Sequence, residues 1–428
     1  MASRWSTAFR HRSTATWHST NAFQKTGGNQ WISPLHGDFD YGKLYDAIGR
    51  SLDLDARTSI TPFLLGFRTK KGYFTFAYSE KSISHISLPK DLLRIGDVGL
   101  PVGSVYDLST LRVRSMAYRE LAFGYAHQWN GKLTLGVNLK PLFGHVAATT
   151  RIDEFTLNVG QERYVVSAQG RIDASFPLEV TESGDPHEAP DIDTKDLDSE
   201  DVAKYAKSFS NPGLAVDLGA QYKLNDRWWF SASLLNLGGI RWNKDVNSVL
   251  LEGSYTFEGL NVDTTNYDDL GQVAEDVLDS LKHAPIYSTG HSKFSTALSP
   301  IFHVAARYNL SRTVSLGFLS RSVMHQHDFR QDFNLSANMN LYRFFTLSAN
   351  YNYRIRGNGY AGLGLGWYMG PLQFYVLADH IPFKYSVIND DGSKYPISES
   401  MKDINVMFGV NLIFGSKGYR DSPMLGER

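Results

Sequence analysis

A few short stretches carry residue types whose spacing could do chemistry. Gly357, Gly359 and Gly362 fit the G-x-G-x-x-G spacing of a dinucleotide-binding turn. That turn works only between a parallel strand and a helix, with an acid about 20 residues on to hold the ribose. Here Gly362, Gly364 and Gly366 continue a period of two and no helical pattern follows. Such glycines leave space on a strand face or bend the strand. His325 and His327 lie two apart beside Asp328, a spacing that suits a metal at a loop base. Solvated histidines at a strand end are the plainer reading. Asp379-His380 has no serine in a nucleophile elbow to complete a triad, and no P-loop or H-E-x-x-H is present. The absence of cysteine removes disulfides, thiolate metal sites and thiol nucleophiles. The sequence therefore predicts no enzyme, no cofactor and no metal.

The better candidates are charged residues that share strand faces. By period-two phase, Lys140, Asp217, His303, Arg307, Arg321, Arg354, Arg356, Gln373 and Asp379 fall on the polar faces of alternating segments. If those faces line an interior, one role is to pair with one another and fill it, as enclosed charges must. The other is to form a polar or weakly anion-favouring passage, or a ligand site. Arg354 and Arg356 point the same way, and Asp379 is the expected acid for them. This predicts an Arg–Asp cluster in the extracellular half of the interior, with space beside Gly362, Gly364 and Gly366.

These residues are positioned by alternating strands. In residues 211–242, Leu214, Val216, Leu218, Ala220 and Tyr222 share one face, while Ala215, Asp217, Gly219 and Gln221 share the other. The polar turn Asn225-Asp226-Arg227 makes this stretch an antiparallel hairpin. The pattern recurs at 61–70, 73–81, 118–128, 133–150, 301–310, 313–326, 331–341, 345–356, 359–369, 372–382 and 403–414. Leu347, Ala349, Tyr351 and Phe408 fall on the apolar face; Ser348, Asn350, Asn352 and Asn411 fall on the polar one. Short turns at Lys71, Asn130, Asp226, Arg312, Arg343 and Gly370 alternate with longer loops, the asymmetry of outer-membrane barrels. Thirteen strands are legible, and an even-numbered barrel needs one more within residues 5–32. A soluble sandwich would put charge on its outer faces. Here the polar faces carry Asn, Ser, Thr and Gly, and Trp228, Trp229, Trp242, Trp367 and Tyr368 at strand ends suit an aromatic girdle. The expected fold is all-β: a transmembrane antiparallel up-and-down barrel of about 14 strands.

Composition agrees. A net charge of -1 favours no nucleic-acid partner. No apolar run approaches the ~20 residues of a membrane helix, and a barrel evades such a scan because only alternate residues meet lipid. Residues 1–25 carry arginines and no acid, but no apolar core of a signal peptide follows. The expectation is an atypical segment over 1–59 with a truncated start, a barrel over 60–415 and a tail over 416–428. Residues 84–112 read as a loop, and 151–176 as an extension of the sheet. Residues 177–209 form an acidic solvated loop, and Leu270, Val273, Val277, Leu278 and Leu281 give 267–283 the spacing of one short amphipathic helix.

The stretches LLGFRTKKGYFTF (64–76), YRELAFGYAHQWNGKLTLGVNLKPLFG (118–144), NPGLAVDLGAQYKLNDRWWFSASLLNLGGIRW (211–242), GSYTFEGL (253–260), GPLQFYVLADHI (370–381) and NVMFGVNLIFG (405–415) together resemble an uncharacterised outer-membrane barrel family of Bacteroidota. It is a domain-of-unknown-function family, distantly similar to outer-membrane long-chain fatty-acid transporters and to type IX secretion shuttle barrels. The resemblance implies a place in the bacterial outer membrane, with lipid and the barrel-assembly machinery as partners. It implies no catalytic residue. The leading functional expectation is a channel or transporter for a small or amphipathic molecule. The alternative is a non-transporting barrel that binds a protein partner through its long extracellular loops.

Overall fold

A computed structural model describes residues 4–17, 24–25, 31–32, 49–69, 72–161, 163–181, 190–194, 209–258, 286–324, 329–341, 344–355, 359–379, 385–390, 393–398 and 403–413, with Asp40, Gly42 and Tyr45. Among the described residues one antiparallel sheet contains nineteen strands. In chain order they begin with β1 (Arg4–Trp17), β2 (Ser51–Arg68) and β3 (Gly72–Pro89). A helix α1 (Lys90–Val98) leads to β4 (Val105–Asp107), β5 (Arg112–Gln128), β6 (Leu133–Val159) and β7 (Arg163–Ser175). Next come β8 (Pro212–Lys223), β9 (Trp228–Trp242), β10 (Val246–Glu258), β11 (Ile286–Gly290) and β12 (Phe294–Ala297). The chain continues through β13 (Ile301–Asn309), β14 (Val314–Met324), β15 (Phe329–Leu341) and β16 (Phe345–Arg354). It ends with β17 (Tyr360–Met369), β18 (Leu372–Asp379) and β19 (Asp403–Ile413).

The strands form where apolar and polar residues alternate, and tight polar turns set their register. At Asn130-Gly131 the Asn130 side chain accepts from the Lys132 and Leu133 amides, and Gly131 takes φ +72°, where a Cβ would be strained. Asn225 does the same for Arg227 and Trp228. Most neighbours in sequence are neighbours in the sheet. One distant pairing joins β6 to β8, and β1 pairs with β19 on one edge and with β2 on the other.

Nineteen strands exceed the fourteen expected. The surplus is β4, β7, β10, β11 and β12, which extend the sheet at the long-loop end. There β6 runs for 27 residues, well beyond the 9–11 that a membrane strand needs. Its far half pairs with β7, and β7 pairs with β10. The stretch 84–112 is likewise not all loop, because β3 continues to Pro89 and α1 follows. Helix α1 packs Ile95 among Tyr106, Leu108, Leu157 and Val166. Residues 1–59 contain β1 and the first part of β2. The helix expected at 267–283 lies outside the described residues, as do most of the acidic stretch, Phe414 and the tail.

The two faces of the sheet differ in chemistry. Leu347, Ala349, Tyr351 and Phe408 lie on the exposed face, with Tyr351 52% accessible; Ser348, Asn350, Asn352 and Asn411 lie on the more enclosed one. The aromatic girdle needs correction. Consecutive residues of a strand point to opposite faces, so Trp228 is exposed and Trp229 is not. Trp242 is fully buried on the polar side, against Met116, Tyr118, Leu142, Ile240 and Leu298. Tyr368 also turns to the polar face, where its hydroxyl meets Gln373.

Candidate functional site

The polar face is organised by charges that alternate in sign across four adjacent strands. Lys81 on β3 reaches Glu120 on β5 at 2.7 Å. Lys140 on β6 stands 3.8 Å from Glu120 and 2.6 Å from Asp217 on β8. The Glu120, Lys140 and Asp217 side chains are all largely shielded from solvent. A bulge in β9 completes the row. Asn236 takes φ +62°, its amide donates to Asp217 at 2.8 Å, and its side-chain oxygen accepts from Lys140 at 2.7 Å. A cavity of about 320 Å³ opens beside Asp217, lined on the polar side by Thr75, Gly124, Gly136, Asn138, Gly219 and Ser233.

A second cluster crosses β14, β15 and β16. Asp332 accepts from Arg321 Nη1 at 3.0 Å and from Arg354 Nε at 2.9 Å. The expected acid for Arg354 was Asp379; the acid that holds it is Asp332, its direct ladder partner on β15. Asp379 instead accepts from Asn350 Nδ2 at 3.2 Å, in a chain that continues through Asn352 to Asn334. A Cβ at Gly362 would collide with Asp379 and Asn350, so Asp379 fills the space beside that glycine. Arg356 lies outside the described residues.

The remaining candidates make other contacts. Ser233 and His303 Nδ1 are 3.3 Å apart. Gln373 accepts from Asn411 at 2.9 Å and donates to the Tyr368 hydroxyl at 2.8 Å. Arg307 lies over the Trp229 ring, its guanidinium carbon 4.9 Å from the centroid. Of the glycine motif, Gly357 lies outside the described residues and Gly362 lies in β17, which is followed by β18 rather than by the helix a dinucleotide turn needs. Among the described residues no three His, Asp or Glu side chains are grouped to hold a metal, and His325, His327 and Asp328 lie outside them.

Sequence reasoning missed several participants. Glu120 shares phase with Ala122 and Gly124, Lys81 with Thr75, and Asp332 with Asn334, so the same period-two rule could have found them. The partnership of Arg330 with Asp55 had no such signal. Arg330 Nη2 on β15 is 3.2 Å from Asp55 on β2, although β16, β17, β18, β19 and β1 separate the two strands along the ladder. Asp55 also meets His85 Nδ1 at 3.1 Å and Arg57 at 3.7 Å. A charged cluster also sits on the opposite, mostly apolar face: Glu80 takes Arg119 at 2.8 Å, His145 at 2.9 Å and the Tyr78 hydroxyl at 2.6 Å.

One large antiparallel sheet, apolar on its exposed face and charge-paired on the other, defines the class of this protein. Residues 12–379 match the family described as "Family of unknown function (DUF5723)", and the chain belongs to that family. This agrees with the family resemblance in the sequence; the match assigns no bacterial phylum. No curated protein matches the chain. Among solved structures it is similar to the Ralstonia pickettii toluene transporter TbuX, at 8% identity and a TM-score of 0.44, covering 97% of this chain and 90% of that one. It is similar to the P. putida toluene transporter TodX at 7% identity and 0.41, covering 97% and 90%. A Pseudomonas aeruginosa FadL homologue aligns at 10% identity and 0.39, covering 96% and 90%.

Proposed function

We propose that this chain is an outer-membrane β-barrel that passes or captures a small molecule through a polar lumen. The observation that carries the reading is the path of the ladder. From β1 it runs through β2, β3, β5, β6, β8, β9, β13, β14, β15, β16, β17, β18 and β19, and β19 pairs again with β1. Those fourteen strands are the proposed wall, an even number as bacterial barrels have. The exposed apolar face would meet lipid. Lys140, Asp217, His303, Arg307, Arg321, Arg354, Gln373 and Asp379 would line the interior, and the barrel-assembly machinery would insert the chain.

Apart from Arg307, the interior charges are met by polar neighbours, and that pairing favours a narrow, solvated passage over a wide pore. No catalytic step belongs to this reading. The test is planar-bilayer conductance together with uptake of small solutes into liposomes. Passage of ions or solutes supports the proposal. A reconstituted barrel closed to ions and to every small or lipid-like solute rules it out.

A further inference from the structure

At the short-turn end of the polar face, two donors are buried with nothing to donate to. They are Arg307 Nε on β13 and Trp229 Nε1 on β9, and none of the described residues accepts from either. The two residues are direct ladder partners, and Trp229 pairs on its other edge with Lys223 of β8. The Lys223 ammonium lies 5.4 Å from the Trp229 ring centroid. An indole with a cation on either side, and with its own N–H unused, is costly to leave unmatched. A buried donor without an acceptor loses its hydration with nothing in return, and the loss is greater when the donor is charged.

The other charges on this patch are accounted for. Lys223 is 3.0 Å from Asp226 in the turn, which neutralises it. Arg307 has no carboxylate partner among the described residues, so the site keeps a net charge of about +1. On its far edge Arg307 pairs with Gly317, which adds no side chain beside the guanidinium. A guanidinium edge offers two parallel N–H donors that match the two oxygens of a carboxylate, and the indole N–H adds a third. A single positive charge suits a monoanion better than a phosphate dianion.

We infer that Arg307 and Trp229 bind the carboxylate end of a small organic solute at the short-turn mouth of the lumen. This rests on the barrel reading and names the solute class it would handle.

The test is calorimetric titration of sodium benzoate into the full-length chain in non-ionic detergent. Benzyl alcohol serves as the uncharged match and inorganic phosphate as the other oxyanion. Benzoate should bind saturably, and about tenfold or more tighter than benzyl alcohol, as loss of a charged hydrogen bond predicts. Arg307→Met should remove that preference, and Arg307→Lys, which keeps the charge but not the fork, should restore part of it. Trp229→Phe keeps the ring and loses the donor; it should weaken benzoate several-fold and decides the matter if Arg307→Met does not fold. Absence of benzoate binding, equal binding by Trp229→Phe, or binding of phosphate alone would overturn the proposal. Heat-modifiable gel migration, scored in parallel, separates the two ideas: a heat-modifiable barrel that ignores benzoate loses only this site.

Discussion

Asp217, on β8, draws polar partners from both neighbouring strands: Lys140 and Asn138 on β6 and the Asn236 amide on β9. Such a carboxylate stabilises the fold only while its cation stays. Removing one partner of a buried pair typically costs about 3–5 kcal/mol, because the other charge is left unmatched; replacing both by apolar residues costs far less. Lys140→Met should therefore destabilise the protein by about that amount, and Lys140→Met with Asp217→Leu should recover most of it. Urea unfolding in detergent, followed by tryptophan fluorescence, checks both. The second cluster carries a different expectation. Asp332 serves two guanidinium groups, so Asp332→Asn leaves Arg321 and Arg354 facing each other across one amide. That variant should be less stable than Arg321→Met, which leaves one complete pair behind.

At the scale of the strand, the two faces predict opposite tolerance. Leu347 is exposed on the apolar face of β16, and Asn350 lies on the polar face of the same strand. Leu347→Arg should cost about 2–4 kcal/mol in a lipid bilayer if it sits near the midplane. Asn350→Arg should cost much less, since it faces Asp379 and other polar groups. Equal losses in bilayer unfolding would mean that the faces are assigned wrongly. This face assignment was legible in the sequence because a period of two is a local property, and so was the hairpin register at Asn130 and Asn225, set by turn chemistry. Strand length was not. Beyond the apolar band the alternation fades, and Ser82–Pro89 and the far half of β6 continue as strand because neighbours pair with them. The Trp229–Arg307 pair lay half in view: phase assigned Arg307, while Trp229 was taken for the girdle beside Trp228.

At the scale of the whole molecule, the Arg330–Asp55 pair is the contact that no local rule could anticipate. It joins strands that are far apart along the ladder, so in the proposed barrel it must cross the lumen rather than run along the wall. Both side chains are shielded, Asp55 almost completely. A charge pair strung across a passage narrows it and sets its selectivity. Arg330→Ser is the cleanest way to open it, since Asp55 keeps His85 and Arg57 and is not left alone. Single-channel recording should then give a higher conductance than the unmodified protein, with selectivity moved toward cations because one interior positive charge is gone. Asp55→Asn should also raise conductance but move selectivity toward anions. Opposite shifts from the two substitutions are what a pair inside the conduction path requires. Unchanged conductance and selectivity in both would remove the pair from the path and leave it a structural tie between β2 and β15.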